Sequence, residues 1–225
     1  MQVIVGDIHG CFDELSALLD EIGPSTDDSI ISLGDMVDRG PKSPEVVSFF
    51  ANNENRKSLR GNHEAKHLGF SLGRISEKYF GKNQRRTIEQ FESRKGRHGI
   101  MSYTEALTYF AALPYFIELP EAILVHAGLT YGIPLAAQNE KILAGIGFQE
   151  ENKFNQNTGL FRWCETYPPD GKPVIFGHLG IGKAPWPLPL RNNLWPIDTG
   201  CAAGGYLTAI TLPDFDVFQI KSFKT

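Results

Sequence analysis

What most constrains this chain is a join that occurs three times, a short apolar run followed at once by glycine and a polar side chain. Residues 3–5 end in Gly6-Asp7-Ile8-His9-Gly10, residues 29–33 in Gly34-Asp35-Met36-Val37-Asp38-Arg39-Gly40, and residues 57–60 in Gly61-Asn62-His63-Glu64. After the first join, Phe12, Leu15, Leu18, Leu19 and Ile22 recur at helical spacing and stop at Gly23-Pro24. After the second, Ser43-Pro44-Glu45 reads as a helix start, with Ser43 as N-cap and Pro44 at the first helical position. Three strand–loop–helix units in succession predict a parallel sheet, whose ligand lies beyond the carboxyl ends of the strands. All three motifs sit at those ends. The interval from Asp7 to Asp35 equals that from Asp35 to His63, as expected when one crossover separates each pair of strands.

The second half reads as strand-rich, at 122–125, 173–176, 194–197, 206–211 and 215–220, and the last two, parted by Leu212-Pro213-Asp214, predict a closing hairpin. Pro185, Pro187 and Pro189 around Trp186 predict a rigid loop over 184–189. A second sheet packed on the first is expected. Between the halves, Arg74, Lys78, Lys82, Arg85, Arg86, Arg94, Lys95 and Arg97 outnumber Glu77, Glu89 and Glu92, so 66–112 reads as a helical insert whose first part, to His98, is basic. It is either a solvated helical face or a cap that brings positive charge to an anionic substrate.

Composition narrows the partners. The 225 residues, 41% of them hydrophobic, suit one domain over 1–225. A net charge of −4 lacks the basic field of a protein that binds nucleic acid or anionic membrane, so any phosphate site must be local. Cys11, Cys164 and Cys201 are odd in number and far apart in sequence, which argues against a disulfide framework or a thiolate zinc site and for a reducing cytoplasm. The chain runs at once into its first motif, leaving no room for a leader, and no apolar stretch approaches the roughly 20 residues of a membrane span. A soluble protein is expected.

The residue types at the strand ends carry a definite chemistry. Asp7 and His9, two apart after a strand, can aim a carboxylate and an imidazole at one cation. Asp35 holds the same position in the next unit, where two carboxylate oxygens can bridge to a second cation, and Asn62 adds a neutral oxygen. His126 and His178, each closing a further apolar run, can reach that second metal. Oxygen and nitrogen donors without thiolates suit Mn²⁺, Fe or Zn²⁺ better than Ca²⁺. Arg39 has the planar fork that meets phosphate oxygens two at a time. His67 and His98 carry no motif and read as surface residues. Asp198-Thr199-Gly200 has no second copy, so a paired-carboxylate protease is not supported.

These motifs, in this order and followed by Val125-His126-Ala127-Gly128 and Gly177-His178, resemble the signature of the phosphoprotein phosphatase family of calcineurin-like metallophosphoesterases. Leu59-Arg60-Gly61-Asn62-His63-Glu64 is similar to the serine/threonine protein phosphatase branch. His126-Ala127-Gly128 and Asp198-Thr199-Gly200-Cys201 with Gly204-Gly205 are similar to the bacterial branch of symmetrical diadenosine tetraphosphatases.

The resemblance implies an α/β four-layer sandwich, two mixed sheets face to face with helices outside. It implies two divalent ions, Mn²⁺ foremost, one held by Asp7, His9 and Asp35, the other by Asp35, Asn62, His126 and His178. It makes His63 a general acid oriented by Asp38, with Arg39, Asn62 and a second arginine on the substrate. Arg162 is the candidate for that arginine, although it could instead stack on Trp163. A water bridging two dications loses a proton near neutral pH and becomes the nucleophile, while an alkoxide leaving group needs the proton that His63 supplies. The expected activity is hydrolysis of phosphomonoesters, phosphoserine or phosphothreonine in proteins first, dinucleoside tetraphosphates as the alternative. A silent phosphate-binding scaffold has little room when every ligand is present, and net acidity counts against a nuclease.

Overall fold

The computed structural model describes residues 1–147, 149–157, 160–180 and 193–224, so the stretch 184–189 lies outside the described residues. β1 (Gln2–Val5) runs into α1 (Phe12–Ile22), which ends where Gly23 turns left-handed at φ 66° and returns its N–H to Leu19 O at 2.8 Å. β2 (Ser29–Ser32) leads to α2 (Ser43–Ala51), and β3 (Arg56–Ser58) to α3 (Asn62–Ser71). Ser43 is not the N-cap that its sequence context suggests. Its hydroxyl accepts the Asp38 N–H at 3.2 Å, because the turn through Asp38 leaves that buried amide needing a partner, and an unmade buried bond would cost about 1–3 kcal/mol. α4 (Lys82–Arg94) and α5 (Tyr103–Ala112) follow.

The chain then forms β4 (Phe116–Glu118), β5 (Ile123–Val125), α6 (Glu140–Leu143), the two-stranded ribbon of β6 (Phe154–Asn155) and β7 (Leu160–Phe161), α7 (Arg162–Thr166), β8 (Val174–Phe176) and β9 (Leu194–Pro196). β10 (Tyr206–Leu212) and β11 (Asp216–Lys221) form the hairpin expected at the end. Two mixed sheets result. The order of the first is β11-β10-β1-β2-β3, parallel from β1 to β3 and antiparallel across β10 and β11; the second is β4-β5-β8-β9, parallel except for β4.

Alternation along the strands explains how the sheets stack. Ile4, Ile31, Leu124, Ile175, Ile197 and Ile210 meet in one buried cluster between the sheets. Their neighbours Val3 and Val5 turn the other way, onto Leu15 and Leu18 of α1, Val46 and Phe50 of α2, and Phe91 and Phe110 further on. Ile123, Val125, Val174 and Phe176 face a third cluster with Trp163 and Leu143. Strands buried on both faces read as unbroken apolar runs, and each such side chain contributes about 1.5–3 kcal/mol when taken out of water. The sandwich has helices on its outer faces, thin on the second side, where α6 and α7 are short.

Cys11 and Cys201 come together with Glu14, their donor atoms within 4.8 Å of one another, and no disulfide joins the two. No helix among the described residues is long and apolar enough to cross a membrane.

Candidate metal centre

The three motif loops meet at the carboxyl ends of β1, β2 and β3, and main-chain bonds lace them together. His9 N donates to Asp35 O, Gly10 N to Met36 O, and Gly40 N to His9 O, each at 2.8 Å. Glu64, fully buried in the first turn of α3, accepts from Asp35 N, Met36 N and Gly61 N at 2.9, 2.8 and 3.0 Å. The backbone is forced into the left-handed region at His9, Asp35, Asp38, Arg39 and His178, with φ of 47°, 48°, 71°, 64° and 70°. Such conformations cost about 1–3 kcal/mol each and persist only where the surroundings over-determine them. Two glycines are required by close approach: a Cβ at Gly61 would collide with the Asp35 carboxylate, and one at Gly177 with that of Asp7.

The side chains aim their donor atoms inward. His9 Nδ1 donates to Val37 O at 2.8 Å and His126 Nδ1 to Leu33 O at 2.9 Å, so in both rings Nε2 keeps its lone pair for the site. Those Nε2 atoms lie 3.6 and 3.5 Å from the two oxygens of Asp35. Asn62 Oδ1 is 3.1 Å from His126 Nε2 and 2.9 Å from His178 Nδ1. Two groups of donor atoms close enough to share an ion emerge, His9–Asp35–His63 and Asp35–His126–His178, and Asp35 belongs to both. Asp7 stands beside them, its carboxylate accepting the His178 N–H at 3.1 Å.

Electrostatics shows what this cluster lacks. Burial, then the charges of Asp198 and Asp35, push Asp7 well above the usual carboxylate range. Burial also lowers His9 and His126 to about 4 and lowers His178, which keeps these imidazoles neutral with lone pairs available. Burial opposes ionisation of Asp35 too, but the charges that His126, His63, His9 and His178 can carry outweigh it and hold its pKa low. Crowded carboxylates facing neutral imidazoles fit divalent cations, which would relieve the repulsion at Asp7. The donor set has no sulfur, in keeping with a metal that accepts oxygen and imidazole.

Asp38, by contrast, is satisfied by the protein alone. Its Oδ2 accepts from His63 Nδ1 at 2.6 Å and Gln84 Nε2 at 2.7 Å, and its Oδ1 from His67 Nε2 at 3.0 Å and Thr87 Oγ1 at 2.7 Å. Burial opposes the charge of Asp38, but the hydrogen bonds and charges of His63 and His67 prevail and hold its pKa far below the usual range. Burial disfavours a charged His63 as well, yet Asp35 and Asp38 together outweigh it and raise its pKa. His67 is not the surface residue that its lack of a motif suggests: it is fully buried, with Nδ1 at 2.9 Å from Tyr103 Oη. Its place four residues after His63, on the same face of α3, was the available signal. Nothing in the sequence pointed to Gln84 and Thr87. α4 thus meets the site with neutral hydrogen-bonding side chains, while Lys82, Arg85, Arg86, Glu89 and Glu92 turn to solvent, where Arg85 pairs with Glu77 at 3.8 Å.

The arginines divide. Arg39 is exposed, makes no hydrogen bond or ion pair among the described residues, and exerts its charge on Asp7, His9, His63 and His178. Arg162 is half-exposed and pairs with Glu150, and no described contact joins it to the cluster or to the Trp163 ring. Arg60 donates to Phe110 O, Tyr115 Oη and Ala111 O at 2.9, 2.9 and 2.5 Å, so it ties α5 to the sheet. Asp198, quoted in the sequence only as part of a motif and given no place in the site, is a buried member of the surroundings. It accepts Gly180 N at 2.6 Å and Gly200 N at 3.1 Å, steadying the loop after His178.

Residues 3–216 match the family model described as calcineurin-like phosphoesterase. The chain belongs to that family. Among its curated relatives is bis(5'-nucleosyl)-tetraphosphatase PrpE [asymmetrical] of Anoxybacillus flavithermus, 27% identical over 97% of this chain and 93% of the relative. Another is the symmetrical bis(5'-nucleosyl)-tetraphosphatase of Actinobacillus pleuropneumoniae, 28% identical over 98% of each chain. Among solved structures, one assigned provisionally as a diadenosine tetraphosphatase superposes with a TM-score of 0.74 at 25% identity, covering all of this chain and 94% of that one. A serine/threonine phosphatase of Saccharomyces cerevisiae shares the phosphoesterase fold, with a TM-score of 0.60 at 16% identity over all of this chain and 80% of its own. The chain is thus a metallophosphoesterase, a hydrolase of a family that uses divalent metals.

Proposed function

We propose that this phosphoesterase hydrolyses dinucleoside polyphosphates, bis(5'-nucleosyl) tetraphosphates among them, and does so with two divalent cations. One observation carries the reaction: the donor atoms of His9, His126 and His178 converge on Asp35, and His63, held by Asp38, has its free Nε2 3.8 Å from the same carboxylate. In this reading Asp7, His9 and Asp35 hold one cation and Asp35, Asn62, His126 and His178 the other, with Mn²⁺ the first choice and Fe or Zn²⁺ compatible. The cations, when bound, activate water and neutralise charge on the phosphoryl oxygens.

The protein's own residues do the rest. Arg39, exposed and unpaired among the described residues, binds phosphoryl oxygens, a role that Asn62 shares. Asp38 fixes His63 through Nδ1, so that Nε2 faces the reacting group and passes a proton to the departing oxygen. Arg162, paired with Glu150, is the weaker candidate for a second phosphate contact.

Substrate class is supported by likeness along nearly the whole chain to relatives named as tetraphosphatases. Within the stretch that resembles the protein phosphatase branch, Arg60 and Glu64 are engaged in holding the scaffold. The test is turnover by protein purified and loaded with Mn²⁺, on diadenosine tetraphosphate and on a phosphoserine peptide. Faster turnover of the dinucleotide is expected; a preference for the peptide overturns the proposal.

A further inference from the structure

A pocket of about 690 Å³ opens beside the metal cluster, lined by Asn62, Lys66, Arg74, Ile75 and Tyr79 and by the glycine-flanked Ile146. Its size lies within the range of small-molecule sites. Asn62 belongs to both the pocket and the cluster, and at Gly145, on the opposite wall, a Cβ would run into the His178 ring, so pocket and cluster share a border.

Three observations define what it would accept. Its wall is more apolar than polar, with Ile75 and Ile146 half-buried, and the Tyr79 ring is 66% exposed with no aromatic partner among the described residues. Lys66 and Arg74 have no ion pair or side-chain hydrogen bond among the described residues, whereas Arg85 and Arg94 nearby are paired with Glu77 and Glu45. No carboxylate lines it, unlike the pocket around Lys82, Arg85 and Arg86, which includes Glu77 and Glu89. An aromatic face, aliphatic walls and uncompensated cations next to a phosphate-handling centre match a ligand with a flat apolar ring at one end and several negative charges at the other.

We infer that this pocket receives one nucleoside end of a dinucleoside polyphosphate, with the base on Tyr79 between Ile75 and Ile146, and Lys66 and Arg74 on the phosphates that run toward Asn62. The inference rests on the proposed activity and adds to it the place where the substrate is recognised. Stacking of a base on an aromatic side chain is strong enough that losing it changes affinity about tenfold.

Two measurements test it on Tyr79→Ala and Arg74→Gln, surface changes whose folding is checked by thermal melting. The first is kcat/KM on diadenosine tetraphosphate and on p-nitrophenyl phosphate, which has no nucleoside. The second is calorimetric binding of a methylene-bridged, uncleavable diadenosine tetraphosphate to the Mn²⁺-loaded protein. The dinucleotide-to-aryl ratio of kcat/KM is expected to fall about tenfold in each variant through KM, with binding of the analogue weakened alike. Wild-type turnover of the dinucleotide with ratio and binding unmoved in the variants overturns the pocket and spares the activity. Analogue binding that the variants weaken, without wild-type turnover, spares the pocket and overturns the activity. A wild type that neither cleaves nor binds overturns both.

Discussion

Two buried carboxylates 31 positions apart in the chain live in opposite surroundings. Asp38 is enclosed by His63, His67, Gln84 and Thr87, four donors from two helices, and its charge is stabilised by the protein alone. Asp7 is pushed toward its neutral form by burial and then by the charges of Asp198 and Asp35. The first region is finished by folding; the second is built to receive positive charge. A like-charged cluster in a buried place is a liability for stability and a resource for chemistry, and the polar side of α4 keeps the Asp38–His63 half of the site apart from that tension.

The largest test of this contrast is Asp35→Asn. Losing the carboxylate common to both donor groups should lower kcat by about 10³-fold or more, given several kcal/mol of metal assistance at 1.36 kcal/mol per tenfold. Full activity with both metals retained, measured by atomic emission, breaks the contrast. His63→Ala should lower kcat about 10²–10⁴-fold on an alkyl phosphomonoester, whose leaving group needs a proton, and much less on an aryl ester. Equal losses on both would remove His63 from proton transfer.

On the other side, Asp38→Ala should cost about 3–5 kcal/mol in urea unfolding, because four buried partners lose their acceptor. An indifferent unfolding midpoint would show that the enclosure of Asp38 adds nothing to the fold. A smaller effect, about 2.7 kcal/mol at a hundredfold excess over Kd, is expected from Mn²⁺ itself. Its pH dependence follows from Asp7. With its pKa raised in the folded state, the contribution of Asp7 to metal-free stability is fullest in acid and declines as pH rises through that value, and cation binding needs the ionised form. The rise in melting temperature on adding Mn²⁺ should therefore be greater near pH 7.5 than near pH 5. His9 and His126, lowered to about 4, are neutral across that window and do not compete. Equal rises at the two pH values would deny Asp7 its part.

The half of the site that awaits charge was the legible half. Asp7, His9, Asp35, Asn62, His126 and His178 stand directly after apolar runs, and the strand-end position is local information. The finished half was not, because Asp38 takes Gln84 and Thr87 from a helix 46 and 49 positions onward, with no motif and only a long-range contact to identify them. Ser43 misled for a related reason: its local pattern is a cap, but a distant demand, the Asp38 amide, took its hydroxyl. Basic residues 74–97 were visible as charge, yet only packing reveals that Arg85 and Arg94 are neutralised while Lys66 and Arg74 border a pocket. In the fold, the closing hairpin was readable but its pairing with β1 was not, since strands so far apart in sequence carry no register signal.

The left-handed turns at Asp38 and Arg39 bear on how this enzyme would respond to selection for heat resistance. Glycine there would relieve an energetic burden of about 1–3 kcal/mol at each position. At Arg39, exposed and without a hydrogen bond or ion pair among the described residues, that relief would meet no loss of such bonds, so a search scored on melting temperature alone should enrich Arg39→Gly. Given the role proposed for Arg39, the survivors would be sturdier proteins with an impaired grip on phosphate, which makes this turn a place where durability and catalysis are chosen against each other.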